Sequence, residues 1–223
     1  MGKTIELAAA DGYKLSAYRA EPQGKPKGAL IVAMEIFGVN SHIRSIADGY
    51  AADGYLAIAP ALFDRVERGY DTGYGPADRQ TGIDIIQKKI NLDDTMKDVA
   101  AALQSVASAG KAGIVGYCWG GRVSWLSAAK VGGLACAISY YGGGIPGLAD
   151  LQPKCPVLFH WGETDQSLPL DQVKAFAAKH SGETHYFYPA GHGFNCDQRE
   201  SYDAASAKLA RTRSLEFLRK HVG

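Results

Sequence analysis

An excess of charge of either sign is missing from this chain: 24 Lys and Arg face 23 Asp and Glu, a net charge of +1 over 223 residues. No dense Lys/Arg cluster breaks the balance, so no nucleic-acid surface is implied. No apolar run is long enough to span a bilayer. The opening Met1-Gly2-Lys3-Thr4-Ile5-Glu6 has no secretory apolar region and completes no myristoylation pattern. A cytoplasmic protein without a membrane partner is expected. Cysteine is scarce: Cys118, Cys136, Cys155 and Cys196 are the four. They form no Cys-x-x-Cys pair and no zinc-ligand spacing, so reduced thiols and no metal are expected. No Gly-rich phosphate loop is present, and the pattern implies no organic cofactor. Repeats, linkers and low-complexity segments are also absent. With 46% hydrophobic residues, one compact domain over 1–223 is expected.

What is present alternates. Thr4 to Ala9 and Tyr13 to Arg19 flank Asp11-Gly12, a hairpin signal. Ala29 to Met34 is a continuous apolar run, as in a strand buried on both faces. Ser41 to Ala52 reads as a helix with Ser41 as a candidate cap, and Tyr55 to Ala59 as the next strand. Arg65 to Gln80 looks irregular, and Ile83 to Val106 holds one or two helices. Strand and helix then alternate through Ile114, Cys118 to Ala129, Ala135 to Tyr140, Val157 to Trp161, Leu170 to His180, Thr184 to Tyr188 and Ser201 to Lys220. This order predicts an α/β fold with a mostly parallel central sheet flanked by helices on both faces.

The most telling segment is Ile114-Val115-Gly116-Tyr117-Cys118-Trp119-Gly120-Gly121-Arg122. It reads as a strand, a sharp turn and a helix, with Gly-x-Cys-x-Gly at the turn. That is the nucleophile-elbow pattern with Cys in place of Ser. Bare glycines two residues away leave room for a strained nucleophile. The following helix N-terminus favours a thiolate and offers amides to an oxyanion. A free Cys at a strand end is equally a small core hydrophobe, so its partners matter. Asp165 lies in a loop just past the strand Pro156 to Trp161. His192 lies in a Gly-flanked loop after Tyr186-Phe187-Tyr188. The order Cys118, Asp165, His192 is the nucleophile–acid–histidine order of α/β-hydrolases. Glu163 competes for the acid role, but Asp165 lies further into the loop. Cys196, close to His192, either lines the rim or packs.

Met34-Glu35-Ile36-Phe37-Gly38-Val39-Asn40 follows the first long apolar strand. Its position suits the loop that supplies a second oxyanion N–H, with Ile36 the donor there and Trp119 the donor after the nucleophile. Glu35 is either a solvated loop charge or a carboxylate facing the thiol.

Together, Glu35-Ile36-Phe37-Gly38, Gly116-Tyr117-Cys118-Trp119-Gly120-Gly121, the 162–165 loop and Gly191-His192-Gly193-Phe194 resemble the dienelactone hydrolase (carboxymethylenebutenolidase) family of α/β-hydrolases. The resemblance spans nearly the whole chain, without a cap domain. It implies a Cys-His-Asp triad on Cys118, His192 and Asp165, and a glutamate, here Glu35, that pairs with the resting thiol. The family's two carboxylate-binding arginines are not matched. Cys196 stands at one position, and an alignment places Gln80 at the other, next to Arg79. Arg199 is the compensating candidate. Phe37, Arg79, Tyr140 and Arg199 are the expected substrate-binding residues. Trp119 is bulkier than the leucine familiar at that place.

The expected protein is a monomer or small homo-oligomer that hydrolyses a small-molecule ester or lactone through a thioester. The alternatives are a broad carboxylesterase or thioesterase, a non-catalytic ligand-binding protein on the same scaffold, and a redox protein pairing Cys118 with Cys196.

Overall fold

The computed structural model describes residues 2–223. Its centre is an eight-stranded sheet in the order β1-β2-β4-β3-β5-β6-β7-β8. The hairpin read at Asp11-Gly12 is β1 (Lys3–Ala8) and β2 (Lys14–Ala20), paired antiparallel from Lys3–Arg19 to Ala8–Lys14. β2 also runs antiparallel to β4 (Leu56–Pro60). From there β4, β3 (Ala29–Ala33), β5 (Ala112–Tyr117), β6 (Leu134–Tyr140), β7 (Val157–Gly162) and β8 (Thr184–Tyr188) are parallel neighbours. Every residue of β3, β4, β5 and β7 is buried, so both sheet faces are covered there. That is why these strands read as unbroken apolar runs rather than alternating ones.

The covering helices are α1 (Ser41–Ala52), α2 (Pro76–Lys88), α3 (Leu92–Ser105), α4 (Trp119–Lys130), α5 (Leu170–Lys179) and α6 (Ala204–His221). Three boundaries differ from the sequence reading. Asn40, not Ser41, caps α1, its side chain accepting from the Ile43 amide. α2 begins at Pro76, inside the stretch expected to be irregular, because proline fits the first helical turn and Asp78 accepts from the Gly75 amide. α6 starts at Ala204 behind an Asp203 cap rather than at Ser201.

α6 is fastened to the sheet by a buried polar network. His160 on β7 bonds Tyr188 Oη at 2.7 Å and Ser214 Oγ at 2.9 Å, and Ser214 Oγ also meets Tyr140 Oη at 2.7 Å. Burial holds the His160 pKa down at about 3, so this imidazole is neutral. No helix among the described residues is long and apolar enough to cross a membrane.

Candidate active site

The parallel strands all present their carboxyl ends to one edge, and the loops leaving that edge carry the reactive side chains. At the end of β5 the chain turns through Cys118, at φ +56° and ψ −117°, directly into α4. A non-glycine residue in that region is strained and persists only where its surroundings hold it. The glycines make the turn feasible. A Cβ on Gly116 would strike the Gly120 carbonyl, and one on Gly120 would strike the Ala33 carbonyl. The Cys118 amide is tied to the Tyr140 carbonyl at 3.0 Å.

Asp165, past β7, is buried, whereas Glu163 is exposed. Asp165 Oδ1 accepts from the Ser167 amide at 2.8 Å and the Ser167 hydroxyl at 2.6 Å. Its Oδ2 lies 2.7 Å from His192 Nδ1, and His192 Nε2 lies 3.1 Å from Cys118 Sγ. Thiol, imidazole and carboxylate thus form one connected chain. Burial acts to lower the His192 pKa. The neighbouring Cys118 sulfur and the bond to Asp165 outweigh it and raise the value to about 10. Burial likewise pushes Asp165 up, but its bonds to His192 and Ser167 hold it below the ordinary carboxylate value.

These groups open onto a pocket of about 540 Å³ whose lining includes Ile36, Phe37, Arg79, Cys118, Trp119, His192 and Arg199. Among the described residues, the amides of Ile36 and Trp119 have no acceptor within the protein, so both are free to donate to a ligand. The loop bearing Ile36 is held by Gly38 at φ +83°, packed against the Tyr70 carbonyl where any side chain would collide. Thr72 N donates to the Phe37 carbonyl at 3.0 Å across the same contact.

Two expectations need correction. Glu35 is fully buried, but Arg199 Nη1 donates to its Oε1 at 3.1 Å, and no hydrogen bond joins it to Cys118. A buried carboxylate needs a cation. Arg199 reaches it by passing close under Gly193, at φ +82°, where a Cβ would collide with the guanidinium. Tyr140 does not line the pocket: it is buried at the end of β6, against His160 and Ser214. Its neighbour Tyr141, at φ +38°, is the one beside the site, its ring 5.1 Å from that of His192. Arg79 faces the pocket, while Gln80 bonds Asp84 on the exposed side of α2.

Sequence reasoning missed three residues: Ser167, Tyr141 and Arg122. Ser167 had a legible signal, since Asp-x-Ser is an Asx-turn pattern in which the serine returns to the carboxylate. Arg122 follows the elbow glycines, lines the pocket, and has its Nε buried with no partner. No local pattern points to Tyr141.

The model of the Dienelactone hydrolase family matches residues 15–222. The chain belongs to the dienelactone hydrolase family. It is 33% identical to a carboxymethylenebutenolidase of Pseudomonas putida over 227 residues, which is 96% of this chain and 94% of that protein. A Klebsiella pneumoniae structure provisionally named a dienelactone hydrolase superposes with a TM-score of 0.83 at 30% identity, covering 99% of each chain. A dienelactone hydrolase-like promiscuous phosphotriesterase from metagenomic libraries has a TM-score of 0.80 at 18% identity, over 100% of this chain and 99% of that one, and shares the fold. This member of the dienelactone hydrolase family therefore has the α/β-hydrolase fold and is a hydrolase.

Proposed function

We propose that this protein cleaves carboxylic ester or lactone bonds by covalent catalysis at Cys118. The observation that carries this reading is the connected chain Cys118–His192–Asp165, with contacts of 3.1 and 2.7 Å, at the floor of a pocket. The thiolate attacks the acyl carbon, and the carbonyl oxygen becomes an oxyanion that takes hydrogen bonds from the Ile36 and Trp119 amides. As the tetrahedral centre collapses, His192 gives its Nε2 proton to the leaving alkoxide and a thioester remains. Water then attacks the thioester. His192 takes its proton, and collapse returns the thiolate and releases the acid. Asp165 keeps Nδ1 protonated throughout, and Ser167 fixes Asp165.

Phe37, Arg79 and Arg199 are the proposed substrate contacts. Glu35 is the proposed thiol-modulating group, acting through its ion pair: an anionic substrate that engages Arg199 frees Oε1 to turn to the thiol. A second reading, cleavage of neutral esters, is favoured by the apolar wall of Ile36, Phe37, Ile83 and Ile86.

The test is steady-state hydrolysis of an anionic dienelactone beside a neutral aryl ester. Cys118→Ala is expected to lower turnover of the preferred substrate by roughly 1,000-fold or more, with the fold retained by circular dichroism. Near-wild-type turnover in that variant overturns the mechanism, and the preferred substrate separates the two readings.

A further inference from the structure

Glu35 also belongs to a polar cluster with His42 and Cys196, two residues that the hydrolytic mechanism does not use. Glu35 and Cys196 are 0% exposed and His42 is 4% exposed. One donor atom from each, a carboxylate oxygen, an imidazole nitrogen and Cys196 Sγ, lies within 4.8 Å of both others. Glu35 Oε2 and His42 Nε2 are buried and have no hydrogen-bond partner. The far atom of each group is already committed. Glu35 Oε1 accepts from Arg199 at 3.1 Å, and His42 Nδ1 meets Asp197 Oδ1 at 3.2 Å.

That pattern has a chemical consequence. With Nδ1 held against the Asp197 carboxylate, Nε2 is the ring nitrogen left without a partner. Beside it and the Glu35 carboxylate lies the Cys196 thiol, which is bonded to the Tyr74 hydroxyl. Two buried polar atoms left without a partner in one cluster call for a bound species that pairs with both. Fixing the outer atom of a histidine or carboxylate by a hydrogen bond is also how proteins orient ligands toward a metal.

We propose that Glu35, His42 and Cys196 form a binding site for a thiophilic divalent cation of the zinc class. Carboxylate, thiolate and imidazole are suitable donors for such an ion. On binding, Cys196 loses its S–H proton to solvent and a metal–sulfur bond forms, with no change of oxidation state. Metal–ligand bonds of about 2.0–2.3 Å in a tetrahedron set donor separations of roughly 3.5 Å, so the donors, now within 4.8 Å, draw in by at most about 1.3 Å. The proposed route of entry is separate from the catalytic pocket. His42 and Asp197 line a separate surface pocket of about 310 Å³, which shares no lining residue with the one holding Cys118. Water from that side fills the fourth position.

The experiment is a Co²⁺ titration of the Cys118→Ala protein, in which the catalytic thiol cannot compete for the ion. The expected result is one equivalent bound, with a thiolate-to-cobalt charge-transfer band that added Zn²⁺ abolishes. Adding Cys196→Ser removes that band, and adding Asp197→Asn weakens binding about 10–100-fold. Absence of the band in Cys118→Ala, or its survival in Cys118→Ala/Cys196→Ser, overturns the site and leaves a hydrated polar cluster. Should the second variant fail to fold, His42→Gln in the Cys118→Ala background decides: undiminished Co²⁺ affinity overturns the proposal. The readout is spectroscopic and independent of whether esters or lactones are the substrate.

Discussion

Cys118 raises the pKa of His192, and this is a property of two side chains in contact. The Cys118 sulfur is the leading influence that raises the imidazole, ahead of the Asp165 bond. His192 is therefore expected to titrate near pH 10 in the native protein. In Cys118→Ala its value is expected to fall back toward the ordinary imidazole range, which nuclear magnetic resonance of the ring protons reads directly. Equal titration near the ordinary value of about 6.5 in both proteins contradicts the ion pair. The sign follows from linkage: the folded pKa lies above the unfolded one. The pair's contribution to stability is then full below about pH 6.5 and is lost as pH rises through about 10. At this scale the triad was legible because each member sits in a short motif at a strand end. Ser167 was overlooked, although its spacing from Asp165 was visible. For Glu35 the residues left a solvated charge and a carboxylate facing the thiol both open, and only the family resemblance favoured the second, because sequence position indicates which loop a residue occupies, not which way its carboxylate turns.

The elbow between β5 and α4 is a single unit, and its tolerance is steric. Gly120→Ala places a Cβ against the Ala33 carbonyl on β3, which is backbone and cannot rotate away. The strand–helix crossing must open, and the Cys118 turn with it. This substitution is expected to cost about 3 kcal/mol or more in urea unfolding, well above the ~1 kcal/mol of an average substitution. A change below 1 kcal/mol would show that the crossing has slack. Elements of this kind were also the best read from sequence. The hairpin, the apolar parallel strands and α4 were recognisable because periodicity and glycine placement are local. α2 was partly missed: the glycines and charges before it masked a helix that starts on Pro76. Its packing against the Ile36 loop, where Gly82 leaves no room for a side chain, is a tertiary contact.

Across the whole molecule, acid stability is tied to His160. Burial in the native fold keeps this imidazole neutral to about pH 3, whereas the unfolded chain protonates it near its ordinary value of 6.5. Between those limits the unfolded state binds more protons, so stability falls as pH falls through that window. At about 1.4 kcal/mol per pH unit, the loss by pH 4 is on the order of 3 kcal/mol. Urea midpoints from pH 7 to pH 4 are expected to drop less steeply in His160→Gln than in the wild type; parallel slopes would assign acid sensitivity to other groups.

The sequence by itself determined the alternation of strands and helices, the elbow, and the order Cys118, Asp165, His192. These rest on local sterics and periodicity, which a linear reading contains. Only the tertiary structure decided the orientation of Glu35, the burial of Tyr140 and the presence of Ser167, Tyr141 and Arg122 at the site. It also brought positions 35, 42 and 196 together, which no zinc-ligand spacing could announce because the donors come from separate segments. Which buried charge meets which counter-charge depends on how loops cross above the sheet edge, and that crossing is a property of the folded chain alone.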